Sequence, residues 1–132
     1  MRLPVQLLQR IIGHPVAHFS GSGHKRAVGR VEMKGAATVF PMQGDLVDDP
    51  FTVMLSDISA ETVGMTSPRA MMPFSSMIIS IPLADGEAGK PVTVRCRVMR
   101  CTRGRDGRFQ VAAEFVGMCA IRNLNSRVKN AG

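Results

Sequence analysis

Residues 92–115 read VTVRCRVMRCTRGRDGRFQVAAEF, and apolar residues recur at every second position on both sides of a central turn. These apolar positions are Val92, Val94, Cys96 and Val98 before the turn, and Phe109, Val111, Ala113 and Phe115 after it. A period of two is typical of strands that bury one face, and the Asp106-Gly107 dipeptide is a strong turn signal. The segment therefore predicts an antiparallel hairpin.

Four more strands are predicted upstream of this hairpin. They cover residues 30–34 with an extension over 37–40, residues 51–58, residues 63–66 and residues 77–83. Short strands at these spacings predict an all-β fold, a small six-stranded antiparallel β-barrel. We expect the barrel domain to span residues 21–118. It follows an N-terminal segment (1–20) with at most a short helix, which either packs on the barrel or contacts a partner, and it precedes a C-terminal helix or tail (119–132).

The size and composition of the chain limit its class. Its 132 residues, 45% of them apolar, are enough for one domain with a modest core. Three cysteines cannot all pair within one chain, which favours a reducing compartment. Residues 3–8 are too short for a secretory signal, and no apolar run reaches membrane-spanning length. We therefore expect a cytoplasmic protein without membrane insertion.

The charge of the chain favours anionic partners. It carries 17 basic and 10 acidic side chains, for a net charge of +7. Six arginines lie within residues 95–108, which we interpret as a solvated hairpin end in preference to a dedicated binding patch. A small basic nucleic-acid-binding barrel is one alternative. Nucleic acid is the less favoured partner, however, because the chain has no Trp and no Tyr on which bases could stack.

Two arginines four residues apart, Arg26 and Arg30, precede a predicted strand, and Asp57 and Ser59 follow at the end of the next long strand. A guanidinium group can bind phosphate oxygens or the O6/N7 edge of guanine through two parallel hydrogen bonds. A carboxylate can accept from the donors on the Watson–Crick edge of guanine. An arginine pair alone is common on solvated surfaces, but its combination with Asp-x-Ser favours a guanine nucleotide with two phosphates.

With these motifs in this order, residues 25–117 resemble the PilZ family of bacterial cyclic di-GMP receptors. The signature of that family is Arg-x-x-x-Arg, then a β-strand, then Asp/Asn-x-Ser-x-x-Gly. The resemblance implies that Arg26 and Arg30 bind guanine bases and phosphates, that Asp57 binds a guanine edge, and that Ser59 donates a hydrogen bond nearby.

The chain departs from this signature at the glycine. Thr62 occupies that position, Glu61 precedes it, and Gly64 is the nearest glycine. A β-branched residue resists positive φ, and a carboxylate near a phosphate is repelled, so we expect weakened binding. Lys25 and Gly64 are also expected at the ligand, Lys25 as an additional positive charge and Gly64 as the residue that restores the loop geometry.

Catalytic and metal-binding patterns are absent from the sequence. It contains no Ser-His-Asp set and no phosphate-loop motif, so we expect no enzymatic activity. Cys96 and Cys101 would face opposite sides of a strand, and His14, His18 and His24 have no acidic or cysteine partner nearby in sequence. We therefore expect neither a metal site nor a cofactor.

The resemblance implies a non-enzymatic receptor for cyclic di-GMP. Binding would order residues 21–30, which begin with a Gly-Ser-Gly joint, against the barrel and so signal to a protein effector that controls motility, adhesion or exopolysaccharide. The alternative suggested by Thr62 and Glu61 is a PilZ-like adaptor that has lost nucleotide binding and acts through protein contacts.

Overall fold

A computed structural model describes residues 1–13, 30–84 and 90–119 of the chain. Within them lie one helix and seven strands: α1 (Val5–Ile12), β1 (Val31–Gln43), β2 (Leu46–Val47), β3 (Phe51–Ile58), β4 (Thr62–Ser67), β5 (Ser76–Ile81), β6 (Val92–Arg103) and β7 (Phe109–Met118).

Six of the strands form a closed antiparallel barrel. Their order is β1-β3-β4-β7-β6-β5, and pairing between β1 and β5 closes the barrel. The two-residue strand β2 pairs with the end of β1 in the described part of the chain. The predicted six-stranded all-β barrel is therefore confirmed, and β6 and β7 form the hairpin that the alternating pattern predicted.

The barrel core consists of side chains at alternate strand positions. In β6 and β7 most buried positions are predicted apolar ones, and they include Val94, Cys96, Val98, Val111, Ala113 and Phe115. Except for the buried Thr93, their polar neighbours in β6 and β7 are half-buried or exposed, as the two-residue period of a strand predicts. The fold is thus set by burial of one face of every long strand.

Helix α1 packs against this same core. Leu3, Leu8 and Ile11 are at most 2% exposed and join the barrel side chains in one apolar cluster. Gly13 caps the C-terminal end of the helix with a φ of 93°, which glycine readily adopts, and the Gly13 N–H donates to the Gln9 carbonyl at 2.7 Å. Of the two expectations for the N-terminal segment, residues 1–13 meet the first, packing on the barrel.

Several predictions concern residues outside the described ranges. The joint at residues 21–23, the ordering of residues 21–29 and the tail from residue 120 onward are among them. The proposed domain boundaries likewise stay predictions. None of the helices in the described residues is both long and apolar enough to cross a membrane.

Candidate functional site

A row of four residues crosses the outer face of the barrel at the candidate site. Asp57 of β3 pairs with Gly64 of β4, Gly64 pairs with Ala112 of β7, and Ala112 pairs with Arg100 of β6. Because the two central residues have almost no side chain, the barrel surface is depressed between an acid at one end and a base at the other.

This depression is a surface groove of about 640 Å³. Its lining residues are Arg30, Ser56, Asp57, Thr62, Val63, Gly64, Met65, Met99, Arg100, Thr102, Gln110, Val111 and Ala112. A volume of this size lies within the range typical of small-molecule sites. The groove combines small residues, Gly64 and Ala112, at its floor with charged side chains, Asp57, Arg30 and Arg100, at its ends.

Asp57 and Arg30 form the first end of the groove. The Arg30 Nε lies 3.9 Å from the Asp57 Oδ1, and the two side chains are 65% and 29% exposed. At this distance the pair is a loose ion pair and not a hydrogen bond. An exposed pair of this kind contributes at most about 1 kcal/mol, so both groups keep donors and acceptors for a ligand.

Gly64 provides space for the Asp57 carboxylate. A Cβ atom placed on Gly64 would lie 2.7 Å from the Asp57 Oδ1 and 3.0 Å from the Oδ2. The backbone of Gly64 has no positive φ, since that conformation among the described glycines is found at Gly13, Gly44 and Gly107. Gly64 is therefore required by the side chain opposite it on the neighbouring strand, and not by a turn.

The turn between β3 and β4 is closed by Ser59. The Ser59 N–H donates to the Thr62 carbonyl at 2.8 Å, and the Ser59 Oγ accepts from the N–H groups of Glu61 and Thr62 at 3.2 and 3.0 Å. Among the described non-glycine residues, positive φ occurs at Phe74, so Thr62 is not strained. The turn consequently forms with threonine at the position where the PilZ signature has glycine.

The N-terminal segment holds this turn from the side. The Leu3 N–H donates to the Ala60 carbonyl at 2.7 Å, and Arg2 Nη1 lies 3.2 Å from Glu61 Oε1. The Phe115 N–H of β7 donates to the Glu61 carbonyl at 2.9 Å. The Glu61 carboxylate is therefore paired with Arg2 at the surface, which reduces the repulsion that it would exert on a bound phosphate.

The structure brings together three of the predicted site residues, Arg30, Asp57 and Gly64, in the lining of the groove. Ser59 lies next to the groove, in the turn, and its hydroxyl is engaged by that turn. Arg26 and Lys25 lie outside the described residues, so their part in the site stays a prediction.

Sequence reasoning missed the far side of the groove. Arg100, Thr102, Gln110 and Ala112 line it, although Arg100 belongs to the arginine-rich run that we interpreted as a solvated hairpin end. The alternating pattern of β7 places Ala112 outward, whereas the same pattern in β6 would place Arg100 on the buried face, and a register shift between Val98 and Arg100 brings it outward. What could not be read is the register that aligns Ala112 with Gly64.

No cysteine is among the described residues that line this groove. Cys96, Cys101 and Cys119 form no disulfide bond with one another, and burial raises the pKa of Cys96 to about 12. The described residues hold no cluster of three or more His, Cys, Asp or Glu side chains suited to a metal ion. The three histidines of the sequence lie outside the described ranges.

Comparison with known proteins shows that this chain is similar in fold to a solved structure. No family model matches the chain, and no curated protein matches it. Among solved structures, the chain is similar to the Bacillus subtilis inhibitor of motility MotI/DgrA, with a TM-score of 0.58 and 13% sequence identity. The match covers 82% of this chain and 52% of that structure, so the chain spans about half its length. At this identity the likeness concerns the fold, and the barrel is consistent with the PilZ-like fold that the sequence motifs implied.

Proposed function

We propose that this protein is a non-enzymatic receptor that binds cyclic di-GMP in the groove between Asp57 and Arg100. The observation that carries the proposal is the placement of Arg30 beside Asp57, with Gly64 leaving the Asp57 carboxylate room at the groove surface. An unobstructed carboxylate can accept from the two donors of a guanine edge, while an adjacent guanidinium binds phosphate or the guanine O6/N7 edge.

Arg26 and Ser59 complete the proposed site as the PilZ resemblance implies, and Lys25 is an additional positive charge beside Arg26. Arg26 and Lys25 would bring further positive charge to the two phosphates of the ligand. Ser59 would contribute chiefly by fixing the turn that follows Asp57, because its hydroxyl already accepts two backbone hydrogen bonds. Contacts from residues 25, 26 and 30 to one ligand would draw this stretch of chain against the barrel, and a protein effector would recognise the altered surface.

The proposed output is regulation of motility, adhesion or exopolysaccharide secretion. Support for it comes from the PilZ motifs and, at the level of the fold, from the similarity to an inhibitor of motility. The absence of catalytic motifs in the sequence agrees with a receptor that acts by binding alone.

Isothermal titration calorimetry with cyclic di-GMP tests the proposal. The wild-type protein should release heat with saturable binding, and Arg30→Ala and Asp57→Ala should each weaken it by about tenfold or more, as expected for loss of a hydrogen bond to a charged group. Asp49→Ala is the matched control, since Asp49 is exposed and is not among the lining residues. GMP is the ligand control. No heat with cyclic di-GMP at saturating concentration would refute nucleotide binding.

An adaptor that binds protein without nucleotide is the second candidate, and one loop favours it. Met72 and Phe74 are both 76% exposed, and Phe74 has a φ of 70°, which is unusual for an aromatic residue. The Phe74 N–H donates to the Val98 carbonyl at 2.7 Å, so the backbone holds this apolar loop against β6. If calorimetry shows no cyclic di-GMP binding, this loop is the surface to test by Phe74→Ser.

A further inference from the structure

Arg100 lies at the far end of the groove, three strands away from Asp57. With about 4.8 Å between neighbouring strands, the two backbones are separated by roughly 14 Å. The groove floor between them consists of Gly64 and Ala112. The two ends therefore stand far enough apart to contact opposite halves of a dinucleotide lying across the floor.

A β-bulge places Arg100 on this outer face. Val98 pairs with Ala113 and Arg100 pairs with Ala112, although Ala112 and Ala113 are adjacent. Between these two pairs β6 therefore contains one residue more than β7. Before the bulge, odd-numbered residues of β6 such as Arg97 face outward. After it, Arg100 takes the outward position in line with Ala112. In an unbulged strand Arg100 would point toward the core. Bulges commonly re-aim a side chain in this way beside a functional site.

The charge of Arg100 is not neutralised within the described residues. Its guanidinium has no ion-pair or hydrogen-bond partner there. Its neighbour Arg97 differs, because the Arg97 Nε donates to the Glu114 Oε1 at 2.8 Å on the same face. Of these two outward arginines of β6, the one that lines the groove is thus the one whose donors are available to a ligand.

We infer that Arg100 is a further ligand-binding residue, which holds the phosphate of cyclic di-GMP at the end of the groove opposite Asp57. The inference rests on the proposed function and adds a residue and an orientation to it. Cyclic di-GMP has two phosphates and two guanines. Arg30 and Asp57 bind one half of the ligand, and its cyclic backbone lies over Gly64 and Ala112. The Arg100 guanidinium donates two parallel hydrogen bonds to the phosphate of the other half.

Calorimetry on four variants tests this inference. Arg100→Ala should weaken binding of cyclic di-GMP by about tenfold or more. Arg100→Lys should lose less affinity, because lysine keeps the positive charge but cannot donate two parallel hydrogen bonds. Ala112→Leu should also weaken binding by filling the floor. Arg95→Ala is the matched control, since Arg95 is an exposed arginine of β6 that does not line the groove, and its affinity should equal that of the wild type.

The salt dependence of binding distinguishes a phosphate contact from a structural role. Each cation that contacts a phosphate makes affinity fall more steeply with salt, so Arg100→Ala should flatten the dependence and Arg95→Ala should leave it unchanged. Thermal unfolding confirms that each variant is folded. If the wild type binds while Arg100→Ala and Ala112→Leu bind equally well, the inference is wrong and the proposed function stands. If the wild type does not bind, both are wrong.

Discussion

Replacing Gly64 by alanine should damage the candidate site while leaving the barrel intact. The new Cβ would lie 2.7 Å from the Asp57 Oδ1 and 3.1 Å from the Asp57 Cγ. A carbon and an oxygen atom cannot stay that close, so the Asp57 carboxylate must swing away from Gly64. The atoms that have to move belong to the end of a flexible, partly exposed side chain, which makes the movement inexpensive for the fold.

The expected magnitudes separate stability from binding. Gly→Ala at a compatible backbone conformation stabilises a protein by about 0.4–1 kcal/mol, which offsets the cost of moving Asp57, so the free energy of unfolding should change by less than about 1 kcal/mol. A displaced carboxylate loses a hydrogen bond between a charged group and guanine, a loss of about 1.5–3 kcal/mol. Affinity for cyclic di-GMP should therefore fall by about 10- to 150-fold.

A double-mutant cycle tests whether Asp57 mediates this effect. Urea denaturation gives the stability of Gly64→Ala, Asp57→Ala and the double variant, and calorimetry gives their affinities. If Gly64→Ala acts by displacing Asp57, it should have little further effect once Asp57 is alanine. Gly117→Ala is the matched control, because a Cβ at Gly117 would meet no atom within 4 Å. Wild-type affinity in Gly64→Ala, or full additivity in the double variant, would refute the reasoning.

Three further predictions concern the turn, the core and pH. Ser59→Ala should lower the free energy of unfolding by about 1–3 kcal/mol in urea denaturation, because the Glu61 and Thr62 N–H groups lose their acceptor. An unchanged denaturation midpoint would show that water replaces the Ser59 hydroxyl as acceptor. Leu8→Ala should cost about 2–5 kcal/mol in the same measurement, since Leu8 is fully buried against the barrel, and a loss below about 1 kcal/mol would contradict packing of α1 in the core. Burial raises the pKa of Cys96 from 9.0 to about 12, so its neutral thiol stabilises the folded state fully below pH 9.0 and this contribution is lost as pH rises toward about 12. Urea denaturation at neutral pH and at about pH 10 should show this loss, and Cys96→Val should diminish it; an equal loss in the variant would assign the effect to other groups.

The correct predictions from sequence were those that depend on local pattern. Alternating apolar residues identified the long strands, and the closed barrel of six strands follows from burying one face of each. The Arg-x-x-x-Arg and Asp-x-Ser spacing identified Arg30 and Asp57 as candidates for one site, and their role in binding stays a prediction. The structure places the Arg30 Nε 3.9 Å from the Asp57 Oδ1. These two residues are separated by 27 positions in the chain, yet one strand pairing, β1 with β3, brings them together.

The glycine of the motif was harder to interpret from sequence. Thr62 was expected to weaken the site, because a glycine in a turn usually adopts positive φ. In this turn the Ser59 hydroxyl accepts from the Thr62 N–H, and Thr62 has no positive φ. Gly64 looked like a displaced turn glycine. Its place in β4 opposite Asp57 shows that its lack of a side chain is what the fold uses.

The sequence by itself determined which face of each regular strand segment is buried, because that depends on the chemistry of residues two positions apart. At the bulge in β6 the same pattern would place Arg100 on the wrong face. It also determined the net positive charge and the two motifs that point to a guanine nucleotide. Only the tertiary structure decided how the strands align, because register depends on pairing between distant segments and on bulges that advance one strand past another. That alignment sets Asp57, Gly64, Ala112 and Arg100 in one row, and the groove exists because the two middle residues of this row are small.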